Sequence, residues 1–194
     1  MKRFYDLFFS IVGLALLSPL FLLIAFLVKC SDGGPVFFRQ SRVGLRGRIF
    51  SIWKFRTMIV DAESTGASVT RDGDSRITPI GRILRKLKAD ELPQLLNVAI
   101  GEMSLVGPRP EVPRYVRHYT EQQRKVLELK PGITDLATLA FRNEEELLKS
   151  ADDLENFYIN VCVPEKIKLN LRYAERASLW QDTKIILRTL APVL

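Results

Sequence analysis

Residues 7–28 read LFFSIVGLALLSPLFLLIAFLV, 22 positions without a charged side chain. As one helix such a run extends about 33 Å, enough for the hydrocarbon core of a bilayer. Ser18-Pro19 falls near its middle, where proline removes a backbone donor, crowds the preceding turn and commonly kinks a helix. Lys2 and Arg3 precede the run; Lys29, Arg39, Arg42, Arg46 and Arg48 follow it. The positive-inside preference puts both flanks on the cytoplasmic side. A re-entrant segment, two helices joined by a break at Ser18 and Pro19, satisfies both flanks, whereas a straight span satisfies one. A signal peptide fits poorly, because the run is long and lacks a small-x-small cleavage site before Lys29. A single kinked span remains a competitor, since transmembrane helices tolerate proline.

The remaining residues suffice for one domain with its own core and are too few for two. The expected organisation is a re-entrant membrane segment over 1–29 and a cytoplasmic domain over 30–194 at the membrane interface. Net charge is +7, unevenly spread: residues 1–130 carry 21 Lys and Arg against 12 Asp and Glu, while residues 131–194 carry 8 against 10. A cationic surface next to an apolar anchor suits anionic lipid headgroups or a polyanionic substrate. Nucleic acid ranks low, because no nucleic-acid module is recognisable. Cys30 and Cys162 are too few and too far apart for a disulfide framework or a zinc site. His118, the one histidine, lies in a charged stretch that reads as a solvated helix face.

Local signals give an α+β fold, mostly helical. Residues 36–43 and 48–58 are rich in β-branched and aromatic side chains around Gly44-Leu45-Arg46-Gly47, which predicts a small β-hairpin. If the second strand is regular, Lys54 and Arg56 share one face and point together at an anion. Residues 61–78 read as a loop, with Asp72-Gly73-Asp74 as a turn rather than a completed calcium motif. Pro79 opens an amphipathic helix with Ile80, Ile83, Leu84 and Leu87 at helical spacing among Arg82, Arg85, Lys86 and Lys88. Such a helix either lies on a membrane surface or packs its stripe on the core. Further helices are predicted over 113–129, from about 144 to 158, and from 164 onward, with Lys130-Pro131-Gly132 as a break.

The predicted helix that begins at Pro79 leads to Asp90-Glu91-Leu92-Pro93, and Pro108-Arg109-Pro110 follows within twenty residues. Adjacent carboxylates beside arginines are equipment for phosphoryl transfer: one acid can attack phosphorus or hold a divalent metal while guanidinium groups neutralise phosphate. The prolines around Arg109 limit local flexibility and fix its direction. The competing reading is that acids ahead of Pro93 merely start a helix and complement its dipole.

Together these residues carry a resemblance. The chain resembles the bacterial sugar transferases known as monotopic phosphoglycosyl transferases in its apolar segment broken at Ser18-Pro19, in Lys54-Phe55-Arg56-Thr57-Met58 and Asp90-Glu91-Leu92-Pro93-Gln94, in residues 104–110 (SLVGPRP), in Pro131-Gly132-Ile133-Thr134, and in Asp182-Thr183-Lys184-Ile185-Ile186. The motifs occur in the family's order over nearly the whole chain. The resemblance implies a transferase that moves a sugar-1-phosphate from a UDP-sugar to polyprenyl phosphate at the cytoplasmic face of the bacterial inner membrane, beginning a surface glycan. By the same likeness Asp90 is the nucleophile and Glu91 its partner. Bringing anions together calls for Mg²⁺, with Asp90 as a ligand, and Arg109, Arg85, Arg56 and Lys54 are the candidate phosphate-binding cations. The sequence is also compatible with a homo-oligomer.

The chain departs from the family pattern after Thr134: Asp135 stands where glycine is usual, and residues 141–146 (FRNEEE) replace the family's Asn-Gly-Arg stretch. Sugar specificity is therefore not carried across. Two rivals stand beside the main reading: a membrane-anchored adaptor without catalysis, and a glycosyl transferase that moves the sugar alone and releases UDP.

Overall fold

The computed structural model describes residues 1–62, 74–142 and 153–191. The Asp72-Gly73 part of the predicted turn, Gly66, residues 143–146 and the start of the helix expected from 144 lie outside them. The apolar run forms one helix, α1 (Lys2–Asp32), with Pro19 inside it. Helical structure thus continues through the predicted break. Pro19 has no N–H for the Ala15 carbonyl, and the Ser18 hydroxyl donates to that oxygen instead at 2.8 Å. The helix is long and apolar enough to cross a membrane. Phe4, Phe8, Leu16, Leu22 and Phe26 along it are more than half exposed, an apolar surface far larger than water-facing helices carry.

Strands β1 (Phe37–Val43) and β2 (Ile49–Phe55) form the predicted antiparallel hairpin, closed by a 3₁₀ turn over Leu45–Gly47. Helix α2 (Pro79–Lys86) starts where expected, with the Thr78 hydroxyl accepting from the Gly81 amide at 3.0 Å. Its stripe is divided: Leu84 is buried and Ile80 packs beside it, whereas Ile83 and Leu87 are about half exposed. A 3₁₀ turn over Ala89–Glu91 follows, entered through Lys88 in the left-handed region, and then α3 (Gln94–Ile100). Asn97, fully buried, fastens α3 to β2 by accepting from the Trp53 amide at 3.0 Å and donating to the Ser51 carbonyl at 2.8 Å. The acid pair is thereby fixed against the strand that carries Lys54.

A second ladder was not legible beforehand. β3 (Ser104–Val106) pairs in parallel with β4 (Gly132–Thr134), where sequence showed only a break at Lys130-Pro131-Gly132. The contact depends on two glycines: a Cβ on Gly107 would stand 2.3 Å from the Lys130 carbonyl oxygen, and one on Gly132 would stand 2.1 Å from the Gly107 nitrogen. The helix predicted over 113–129 is broken into α4 (Pro113–Val116) and α5 (Glu121–Arg124), which a 3₁₀ turn extends. Thr120 makes a capping box with Gln123 and restarts the helix there. Next come α6 (Leu136–Ala140) and α7 (Leu154–Phe157), a π-helical turn over Tyr158–Cys162, then α8 (Val163–Glu175) and α9 (Leu179–Leu190). The helix expected from 164 onward is thus also two, because Ser178 caps a new start.

Both ends of α1 are attached to the rest of the chain. Near the start, Lys2 pairs with buried Asp182, Arg3 donates to the carbonyls of Val98 and Ala99, and Tyr5 bonds Thr183. Asp6, 2 % exposed, accepts from the Ser104 hydroxyl and the Leu105 amide, each at 3.0 Å. At the other end Ile24 and Val28 join Phe55 and Leu84 in one apolar cluster. Replacing Asp6 by alanine orphans two donors in a buried site and is expected to cost about 2 kcal/mol. Thermal unfolding in detergent checks this; an unchanged melting temperature would show that the tie carries no weight.

Candidate active site

Glu91 gathers the site. Its Oε1 accepts from Lys54 Nζ at 2.8 Å and from one Arg109 nitrogen, and its Oε2 accepts from the other Arg109 nitrogen at 2.9 Å. The two-pronged Arg109 contact is the strong, directional form of such a pair. Three segments far apart in sequence therefore converge: the end of β2, the turn after α2, and the Pro108-Arg109-Pro110 stretch. Glu91 and Lys54 have side chains 14 % and 16 % exposed, while Arg109 is 41 % exposed and so reachable by an incoming anion.

Asp90 is treated differently. It is 8 % exposed, and neither of its oxygens is hydrogen-bonded or ion-paired among the described residues. Nor do the two acids start α3: its N-cap is Pro93 and its first turn holds no acid. They lie instead in the 3₁₀ turn that leads into it, so the helix-cap reading does not hold for α3 itself. Burial, and then the Glu91 charge, push the Asp90 carboxyl above its ordinary range, against the pull of Lys54, Arg85 and Arg109. For Glu91, burial acts in the same upward direction but is overridden by Arg109 and Lys54, which hold it well below the ordinary range. Burial also lowers Lys54, opposed by the Glu91 charge. Neighbouring carboxylates with pKa values driven apart are the pattern of sites in which each acid has its own task.

Not every predicted cation joins this group. Arg85 does: its Nε donates to Thr57 Oγ1 at 3.0 Å, and its charge acts on Asp90. Arg56 does not. β2 ends at Phe55, so the strand alternation that paired Arg56 with Lys54 stops one residue short. Arg56 is 6 % exposed, its two terminal nitrogens are bound to Asp32 and its Nε to the Pro35 carbonyl at 2.6 Å. It secures the end of α1, because a buried guanidinium needs all of its donors satisfied. Ser18 and Pro19 are exposed on α1. His118 is exposed, as its charged neighbourhood implied.

Two residues were missed. Arg42 on β1 bonds Glu111 at 3.4 Å, the Pro110 carbonyl at 3.2 Å and Gln40 at 2.6 Å, supporting the Arg109 stretch from behind. Glu111 also accepts from the Tyr158 hydroxyl. The available signal was Glu111 itself, an acid directly after the rigid Pro108-Arg109-Pro110 segment.

Among the described residues no group of three His, Cys, Asp or Glu side chains could enclose a metal. Mg²⁺ does not need such a cage; it commonly takes one or two carboxylates together with substrate phosphates and water. The Asp90 oxygens, unbonded among the described residues, fit that role, whereas both Glu91 oxygens are already occupied by cations.

Residues 1–194 match the sequence profile described as bacterial sugar transferase. The chain belongs to that family. A galactosyl transferase, CpsE, of Streptococcus agalactiae serotype III is 39 % identical over 204 residues, covering all of this chain and 42 % of that protein. The UDP-N-acetylgalactosamine-undecaprenyl-phosphate N-acetylgalactosaminephosphotransferase of Aeromonas hydrophila is 37 % identical, covering all of this chain and 43 % of its own length. The UDP-glucose:undecaprenyl-phosphate glucose-1-phosphate transferase of Caulobacter vibrioides is 37 % identical over all of this chain and 69 % of its own. The chain thus spans less than half the length of the first two relatives. Membership places the acid pair in a family of sugar transferases.

The opposed shifts of the two acids give a pH prediction. If ionised Asp90 is required, activity falls as pH drops through its raised pKa. Glu91→Gln removes the neighbouring negative charge and releases Lys54 and Arg109 to favour ionised Asp90. The acid limb of kcat/KM should therefore move to lower pH, even as the maximal rate falls. A limb that moves upward, or does not move, would separate it from Asp90.

Proposed function

We propose that this sugar transferase moves a sugar-1-phosphate from a UDP-sugar to polyprenyl phosphate, with Asp90 as the nucleophile. The observation that carries the proposal is the contrast within the acid pair: Glu91 is saturated by Arg109 and Lys54, whereas Asp90 beside it has no hydrogen-bonding partner among the described residues. An Asp90 oxygen attacks the sugar-proximal phosphorus, the bond from that phosphorus to the bridging oxygen breaks, and UMP leaves with the electron pair. A polyprenyl phosphate oxygen then attacks the same phosphorus, breaks the acyl-phosphate bond and restores the carboxylate. Arg109 and Arg85 offset the charge of the phosphoryl groups, and Lys54 keeps Glu91 in place while Arg109 turns toward substrate. Mg²⁺ held by Asp90 and phosphate oxygens would reduce the repulsion between carboxylate and diphosphate. The names of the Aeromonas and Caulobacter relatives, which give undecaprenyl phosphate as acceptor and UDP-sugars as donors, support this reading.

The membrane arrangement belongs to the same proposal. We read α1 as a re-entrant element that enters and leaves by the cytoplasmic face of the inner membrane, bent at Ser18-Pro19. What supports this is that polar ties at Lys2, Arg3 and Asp6 and apolar packing at Ile24 and Val28 attach both ends of one apolar helix to a single domain. A straight span would place those ends on opposite sides, about 30 Å apart. Ile83 and Leu87, exposed beside Arg82 and Lys86, would meet the interface close to the Asp90 turn. Acceptor and enzyme then share one surface, and the lipid need not be extracted.

A second reading has one observation in its favour, the name of the Streptococcus relative, a galactosyl transferase. Nucleotide product separates the two. With Mg²⁺, a suitable UDP-sugar and polyprenyl phosphate, the expected product is UMP, and Asp90→Asn should reduce its release by at least three orders of magnitude, on the scale of removing a covalent nucleophile (roughly 10³-fold or more). Release of UDP would move the protein to sugar-only transfer, and full activity in Asp90→Asn would remove Asp90 as nucleophile. Tags placed separately at the two termini should both be protected from periplasmic probes in intact cells; labelling of the N-terminal tag alone would show a spanning helix.

A further inference from the structure

We infer that Asp135 is the positioning residue for Arg109, acting through the Arg109 backbone amide rather than its side chain. Asp135 is 1 % exposed, and no Lys, Arg or His side chain pairs with it among the described residues. Its two oxygens divide the work. Oδ1 accepts from the Thr138 amide at 2.5 Å and caps α6, while Oδ2 accepts from the Arg109 amide at 3.1 Å and from Asn170 Nδ2 at 2.8 Å. A helix cap alone would need one acceptor. The second oxygen reaches across to the stretch that carries the guanidinium.

The backbone explains why a side chain is needed there. The β3–β4 contact supplies hydrogen bonds from Gly107 N to the Thr134 carbonyl and from Gly132 N to the Pro108 carbonyl, both at 3.0 Å. Beyond them Pro108 and Pro110 have no N–H to offer. The Arg109 amide is therefore the one backbone donor in that three-residue stretch, and Asp135, the residue directly after β4, continues the pairing with its carboxylate. Asn170 is 4 % exposed and its buried Oδ1 has no partner among the described residues. Its amide is thus oriented by Asp135, since the flipped form would set two oxygens against each other. The arrangement fixes the base of Arg109 independently of its contact with Glu91, so the guanidinium can exchange Glu91 for a phosphate without losing its origin.

This inference rests on the reading of Arg109 as a phosphate-binding residue. The test is a double-mutant cycle on kcat/KM for the UDP-sugar, with UMP affinity by calorimetry as a readout independent of turnover. Asp135→Asn offers one acceptor to three donors; it is made in the native chain and in Arg109→Ala, with melting temperatures alongside. The expected loss is about tenfold with Arg109 present and less than about twofold without it. Asn170→Ala, which leaves Asp135 and its cap in place, carries the same cycle with a smaller expected loss should Asp135→Asn not fold. Equal losses in both backgrounds would overturn the positioning role and leave the reaction assignment intact. Native activity and UMP affinity in Arg109→Ala would instead overturn the reading of Arg109, and the inference with it.

Discussion

The site depends on one carboxylate shared between two cations. Glu91 binds Arg109 with both oxygens and Lys54 with one of them, and so draws together a strand end, an interhelical turn and a proline-bounded loop. Such a group contributes little net stability, because desolvation of Glu91 and Lys54 offsets most of the Coulombic gain and Arg109 is partly exposed. Its effect is on geometry. Removing Glu91 would leave Lys54 as a buried charge without its partner and would release Arg109, so the shared carboxylate holds the segments in one arrangement.

That arrangement also separates two chemically similar neighbours. Asp90 and Glu91 are adjacent in sequence, yet the 3₁₀ turn sends one toward the cations and leaves the other without a hydrogen-bonding partner among the described residues. The same burial that raises the Asp90 carboxyl acts on Glu91, where two cations reverse its effect. An unpartnered, partly desolvated carboxylate is a better nucleophile than one already bound to guanidinium, since less must be broken before it attacks. The supports lie in layers behind it: Asn97 fastens α3 to β2, Arg42 braces the Arg109 stretch, and Asp6 joins the start of α1 to the strand that leads there.

Much of this was legible beforehand where a local rule decides the outcome. Thr78-Pro79 starts a helix, Gly44 and Gly47 frame a hairpin, and an apolar run without charge forms a long helix. Parity along β2 placed Lys54 on the correct face but failed for Arg56, because strand alternation has no force once the strand has ended. The breaks at Thr120 and Ser178 were hidden by continuous helical composition, although both residues are good caps. The β3–β4 ladder escaped notice because strands of three residues have no measurable period. The contact between Asp135 and the Arg109 amide spans 26 residues and leaves no local pattern.

By itself the sequence determined the locally set elements and the inventory of chemistry: an apolar run with a proline in it, a hairpin, an acid pair and an arginine between prolines, in the order that marks this family. Only the tertiary structure decided which acid is occupied and which is open, which cations face them, and that both ends of the apolar helix contact the rest of the chain. The physical reason is range. Helix starts, turns and hydrophobic runs are set by neighbours a few residues apart, whereas charge pairing, burial and the pKa shifts they cause depend on groups that the chain brings together only when folded.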